Sequence, residues 1–63
     1  MRVDRIKFNM ELLRRDMTQK QLCELSGLSR PTVNGVANGR SCSKSTAEKI
    51  ADALQIDLSE ITE

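Results

Sequence analysis

Residues Thr18 to Gly39, TQKQLCELSGLSRPTVNGVANG, constrain the fold of this chain more tightly than any other stretch. Leu22, Cys23 and Ser26 fall at i, i+1 and i+4, Gly27 follows at once, and Leu28, Val33 and Val36 resume an apolar pattern at i, i+5 and i+8. That spacing reads as two short helices joined by a tight turn. Thr18 carries the short hydroxyl that caps the first helix, and Gly27 supplies the positive φ needed to leave it. Ser29 caps the second helix. Pro31 falls in its first turn, where a missing N–H costs nothing because no intrahelical acceptor awaits it. Asn38-Gly39 ends it. The pairs Asn34-Gly35 and Asn38-Gly39 suit hairpin turns in other settings, but no strands of alternating pattern flank them here.

At these residues the sequence resembles the Cro and phage-repressor family of helix-turn-helix proteins, in which Thr-Gln-x-x-Leu-Ala, a turn glycine and a second helix closing in Asn-Gly recur at this spacing. The likeness runs from about Met17 to Ile61. It implies a compact five-helix, lambda-repressor-like domain whose second motif helix lies in the major groove of double-stranded DNA while the first crosses the backbone. Two positions depart from the family pattern. Cys23 stands where alanine is usual at the tight helix–helix contact and is small enough to fit. Leu25 stands where a polar residue is usual, so either the packing is wider there or something covers it.

Sixty-three residues make one domain, 1–63, and a chain this short buries only about 60% of its unfolded surface. With one Phe, no Tyr, no Trp and 38% apolar residues, its core must be aliphatic, which suits small packed helices; the chain is expected to be all-α. Asp4 is placed to cap a first helix running to about Asp16. Phe8 and Leu12 lie on one side of it, and Ile6, Met10, Leu13 and Met17 recur at i, i+4, i+7 and i+11 on another. The resemblance makes Phe8 and Leu12 the core pair and leaves the second stripe either packed on the C-terminal helix or wet along a narrow strip. Arg2-Val3 reads as an arm or a one-residue strand edge. Ser45-Thr46-Ala47-Glu48 has the form of a capping box opening a fourth helix, whereas the family register favours Ser43. Ala47, Ile50, Ala51 and Leu54 form that helix's inward stripe. Asp57-Leu58-Ser59-Glu60 then opens a fifth, short helix with Leu58 and Ile61 inward.

The net charge of +1 is small, but it is polarised along the chain. Arg14, Arg15, Lys20, Arg30, Arg40 and Lys44 outnumber Asp16 and Glu24 in residues 14 to 44, whereas Glu48, Asp52, Asp57, Glu60 and Glu63 outnumber Lys49 beyond them. A basic motif with an acidic end aims one face of a small protein at phosphates. No catalytic constellation is present. Ser and Cys side chains have no His to serve as base, and there is neither a glycine-rich phosphate loop nor a tuned carboxylate pair. Cys23 and Cys42 are too few for a disulfide framework, and a zinc site would need ligands the sequence lacks. No cofactor and no small-molecule ligand is indicated. With no apolar run near the ~20 residues of a membrane helix and no signal peptide, a reduced, cytoplasmic setting without membrane association is expected.

On the second motif helix, Ser29, Arg30, Pro31, Asn34, Gly35 and Asn38 fall away from Val33 and Val36. Arg30 can donate a bidentate pair to guanine, Asn34 to adenine, and Pro31 offers an apolar edge to a thymine methyl. Gly35 costs roughly 1 kcal/mol against alanine in a helix interior, which suggests that the backbone comes close to a base edge or sugar there. The other reading is that the helix frays early at this glycine. Thr32 sits nearer the flank, within reach of a phosphate or a methyl. The resemblance makes Gln19 a phosphate contact at a positive helix end. Ser29, Asn38, Arg40, Ser41, Ser43 and Lys44 complete the expected backbone contacts. The expected function is a sequence-specific transcriptional regulator, a repressor, in a prokaryotic or phage setting. An antitoxin that also binds a toxin, or an interaction module that kept the fold without DNA, remain as alternatives. One such helix reads too few base pairs for genomic selectivity, so two subunits are expected to pair weakly, on DNA, through Leu58 and Ile61 or through the first-helix stripe.

Overall fold

The computed structural model describes residues 1–63. Four α-helices follow in order: α1 (Arg5–Arg14), α2 (Gln19–Ser26), α3 (Arg30–Ala37) and α4 (Lys44–Leu54). A single 3₁₀ turn, Leu58–Glu60, stands where a fifth helix is expected. The architecture is all-α, but the helix count is four. The capping box at Asp57 and Glu60 does form; what it opens stops after three residues, because Ile61 turns into the core and Thr62 pairs in an antiparallel bridge with Val3. A capping box specifies where a helix starts and leaves its length open.

Each helix begins on a side chain that accepts from an N–H the helix itself cannot satisfy. In α1, Asp4 Oδ1 accepts from Ile6 at 2.9 Å and from Lys7 at 3.2 Å. Thr18 and Gln21 form a reciprocal box at α2, with bonds of 3.1 and 2.9 Å. Ser29 caps α3, and Ser43, not Ser45, caps α4: Thr46 donates its N–H to Ser43 Oγ at 3.1 Å. The earlier start leaves the inward phase of Ala47, Ile50, Ala51 and Leu54 unchanged and gives the Thr46 N–H an acceptor.

The core is one aliphatic cluster around Phe8, with Leu12, Leu22, Val33, Val36, Ile50, Leu54 and Ile61 among its members. Its organising element is α2, which packs on both α3 and α4, while α1 meets α3. Cys23 is buried in this cluster, as its size allows. The bridge between Val3 and Thr62 ties the two chain ends together over the core, so Val3 is the edge of a one-residue strand. Glu11 is the single buried charged residue and is held by Arg14 at 3.0 Å and by Arg15. The Arg15 hydrogen bond, with Arg14 beside it, keeps the Glu11 carboxyl below the usual range against the opposing effect of burial.

The second stripe of α1 is wet: Ile6, Met10 and Leu13 are 61, 56 and 79% exposed, while Met17 leans onto the core. Leu25 is exposed as well, and no part of the chain covers it. Ile61 is fully buried and Leu58 packs against the core. No helix is long and apolar enough to cross a membrane.

Candidate nucleic-acid interface

The turn between α2 and α3 is set by Gly27: its N–H makes the last helical bond, to the Cys23 carbonyl at 2.9 Å, and its φ of 75° then turns the following residues out of α2. Ser29 then starts α3 within two residues, with Pro31 in its first turn. Val33, Val36 and Ala37 face the core and leave Arg30, Pro31, Asn34 and Asn38 exposed along the outer side. Arg30, Pro31 and Asn34 line one shallow concavity on that side. Pro31, Thr32, Gly35, Arg40, Ser41 and Ser43 line a groove beside it, together with Val36, Cys42 and Thr46. Eight of the twelve expected contact residues, Arg30, Pro31, Thr32, Asn34, Gly35, Arg40, Ser41 and Ser43, therefore line these two adjoining concavities, where α3, the 40–43 loop and the start of α4 meet; Ser29 and Asn38 lie at the two ends of α3. Gln19 is half-buried at the start of α2, and Lys44 is exposed at the start of α4.

No carboxylate occurs between Glu24 and Glu48, a span that carries Arg30, Arg40 and Lys44. The first turns of α2, α3 and α4 likewise contain no acid, although a carboxylate there would be favoured by the helix dipole. Three positive helix ends are thus left without internal anions. Arg14 and Arg15, counted as basic in the sequence, are paired with Glu11 and contribute less to this face than their number suggests.

Hydrogen bonding separates the expected backbone contacts. The Ser43 hydroxyl donates to Thr46 Oγ1 at 3.0 Å, so its proton is engaged and the free O–H is that of Thr46. Ser29 and Thr32 share a bond of 2.8 Å, which leaves one of the two hydroxyls free to donate. The side chains of Gln19, Arg30, Asn34, Asn38, Ser41 and Lys44 make no internal hydrogen bond. Gly35 has ordinary helical φ, so α3 does not end there. Its open side is occupied: a Cβ at this position would meet the Arg40 side chain at 3.3 Å from Cδ.

Two cations reach the exit of α3 from outside the motif, in a separate concavity that they share with Asp4 and Glu63. Arg2 donates from Nη2 to the Gly39 carbonyl at 3.4 Å, and the Arg5 stem runs beside Gly39. Met1 accepts from the Cys42 N–H at 2.9 Å, which lays the N-terminal residues along the loop that leaves α3. Asn9 donates from Nδ2 to Ala37, on the last turn of the same helix, at 3.2 Å. The only signal for this in the sequence is an apolar Val3 set between Arg2 and Asp4, which marks a tethered strand edge and gives no address for it.

No group of Cys, Asp or Glu side chains is arranged to hold a metal ion, and both cysteines are free. No curated protein matches the chain. Among solved structures, it is similar over its whole length to native PhpD with cadmium atoms, at 24% identity and a TM-score of 0.85. It is equally similar to PhpD with cadmium complexed with hydroethylphosphonate, at 24% identity and a TM-score of 0.84. The chain spans 14% of the length of each, and a likeness at this identity speaks to the fold alone. The helix-turn-helix family matches residues 10–61, most of the chain and the whole of the Thr18–Gly39 motif. With that match and this geometry, the chain belongs to the Cro and phage-repressor type of the helix-turn-helix family, whose domains bind DNA.

Proposed function

We propose that this protein is a sequence-specific transcriptional regulator, a repressor in a prokaryotic or phage setting, that reads the major groove of double-stranded DNA with the outer side of α3. The observation that carries the reading is the unpaired polar side of α3, framed by cations and by three acid-free helix starts. Arg30, Asn34 and Pro31 are assigned to base edges, where a good bidentate pair discriminates by ~1–3 kcal/mol. Gln19, Ser29, Thr32, Asn38, Ser41, Lys44 and the start of α4 at Ser43 are assigned to phosphates, with Arg2, Arg5 and Thr46 added to them. These contacts set register and salt dependence and carry little sequence information.

Pairing of two subunits on DNA follows from the reach of one helix. Recognition helices of a two-fold pair lie about 34 Å apart, one DNA turn. At 24 × 21 × 19 Å between Cα atoms, one subunit is shorter than that interval, so two set one turn apart meet with little surface to share. Ile61 is inside and Leu58 lies against the core, so neither is free to pair, and the exposed Ile6, Met10 and Leu13 stripe is left as the contact; the protein is a monomer or weak dimer in free solution that pairs on an inverted repeat, with half-site centres ~10 bp apart or a multiple. Selection of bound duplexes from a random pool, followed by sedimentation of the enriched complex, tests both parts. An enriched inverted repeat holding two subunits is expected. Binding without any preferred sequence would sink the regulatory reading.

A further inference from the structure

We propose that Arg40 is a base-reading residue: it stands in, from the loop, for the side chain that Gly35 lacks on the reading side of α3. The assignment rests on the DNA-binding function proposed above.

The geometry begins with how α3 ends. The Gly39 N–H bonds the Val36 carbonyl at 3.0 Å, and the φ of +90° at Gly39 then turns the chain so that the Arg40 N–H bonds the Gly35 carbonyl at 2.9 Å. This pair of bonds returns the chain over the last turn and brings the residue after the left-handed one against the residue five positions earlier. The same ending closes two other helices. Asp16 and Gln55 are the left-handed residues there, and Met17 and Ile56 make the equivalent bonds to Leu12 at 2.9 Å and to Ala51 at 3.0 Å. Met17 and Ile56 are apolar and pack against the core.

Arg40 occupies that place at α3 and does the opposite: it is exposed, lies along the outer side of the helix, and makes no ion pair or side-chain hydrogen bond. Its Cδ, Cβ and Cγ lie 3.3, 3.8 and 4.0 Å from where a Cβ on residue 35 would be. An apolar side chain would serve a purely structural contact at least as well, as it does at the other two endings. A glycine that costs helix stability, filled by the stem of an unpaired arginine, presents a guanidinium on the same groove as Pro31 and Thr32. The planar fork can address guanine O6 and N7 together. Five residues of helix separate Arg30 from Gly35, or ~7.5 Å, which puts the base read by Arg40 about two base pairs from the one read by Arg30.

The test is selection from a random duplex pool with the parent protein and with Arg40→Ala, Arg40→Lys and Gly35→Ala, each first checked for cooperative melting. The assignment predicts that Arg40→Ala removes the preference for guanine at one base pair, a loss of roughly 5- to 150-fold in discrimination, and leaves the rest of the motif intact. Arg40→Lys keeps the salt dependence and loses the same preference, because the charge remains and the fork does not. Gly35→Ala weakens that same position, because the new methyl displaces the Arg40 stem. Uniform weakening on all duplexes by Arg40→Ala, with a shallower salt dependence and an unchanged motif, would overturn the assignment and make Arg40 a phosphate contact. A position altered by Gly35→Ala that Arg40→Ala leaves alone would also overturn it. If the parent protein itself enriches no sequence, the DNA reading fails, and that result is distinct from either of these.

Discussion

Helices α3 and α4 are built on the same beginning and the same end, yet face opposite ways in what they contribute. Both start Ser-x-x-Thr, with the serine accepting from the threonine N–H, and both close on a left-handed residue followed by a bond that spans the last turn. Between those limits α4 runs for 11 residues with four buried in the core, and its exposed side carries Glu48 and Asp52. In α3 there are 8 residues with three buried, a glycine third from its end, and no acid at all. The first is composed for helix stability. The second gives up intrinsic stability along its outer side and depends on its buried side to remain folded, since a helix of this length is marginal alone. At the exit, α4 places Ile56 on the core and α3 places Arg40 on the surface.

The largest expected effect separates the two sides. Ile50 is fully buried, so Ile50→Ala should cost ~2–5 kcal/mol in denaturant unfolding, a large share of what a domain this size possesses. Arg30→Ala should leave unfolding within ~0.5 kcal/mol of the parent while weakening binding to the preferred site. If Arg30→Ala destabilised the fold as well, the outer side of α3 would be part of the structure and the contrast with α4 would fail.

What could be read from the sequence follows the same division. Starts and stops carried by a single residue type were legible: Thr18, Gly27, Ser29, Pro31 and Gly39 specify turns and caps whose chemistry is local. The inward stripe of α4 was legible because burial repeats with the helix period; in α1 the longer periodic stripe is the exposed one, and the family resemblance, not the period, picked Phe8 and Leu12 for the core. The choice between Ser43 and Ser45 was not legible from the residues alone, since both offer the same hydroxyl and the inward phase is identical for either; the family register favoured Ser43, which is the cap. Nor was the length of the final turn, which is decided by Ile61 entering the core and by a bridge to Val3 across the whole chain. At the candidate site, the outward residues of α3 could be named from periodicity. The approach of Arg2 and Arg5 to Gly39, and of Arg40 to Gly35, could not, because each depends on a chain reversal or on the closure of the two ends.

An intermediate effect concerns the two exits. Gln55 holds φ 58°, where a side chain costs ~1–2 kcal/mol, and glycine returns part of that gain through its freer unfolded chain. Gln55→Gly should therefore raise stability by ~0.5–1 kcal/mol. Gly39→Ala should lower it by ~1–2 kcal/mol, both from its φ of 90° and because the new methyl meets the Arg5 stem at 3.3 Å. Thermal melts of the two variants give the signs directly. The same sign for both would mean that the exits of α3 and α4 are not equivalent backbone motifs.

The smallest effect is at Gly35, where two opposed contributions nearly meet. Its helical φ means that alanine gains helix propensity, up to ~1 kcal/mol. Against this, the added methyl lies 3.3 Å from Arg40 Cδ, closer than carbon atoms prefer by a few tenths of an ångström. The contact is with the middle of a flexible, exposed side chain that has no partner to hold it, so the stem can yield. Gly35→Ala should therefore raise the melting temperature slightly, and Gly35→Ala combined with Arg40→Ala should raise it further than the sum of the two single changes. A fall in melting temperature for Gly35→Ala that Arg40→Ala relieves would show that the Arg40 stem is held firmly on α3. A fall that it does not relieve would locate the strain in the helix itself, and α3 would then be no less composed for stability than α4.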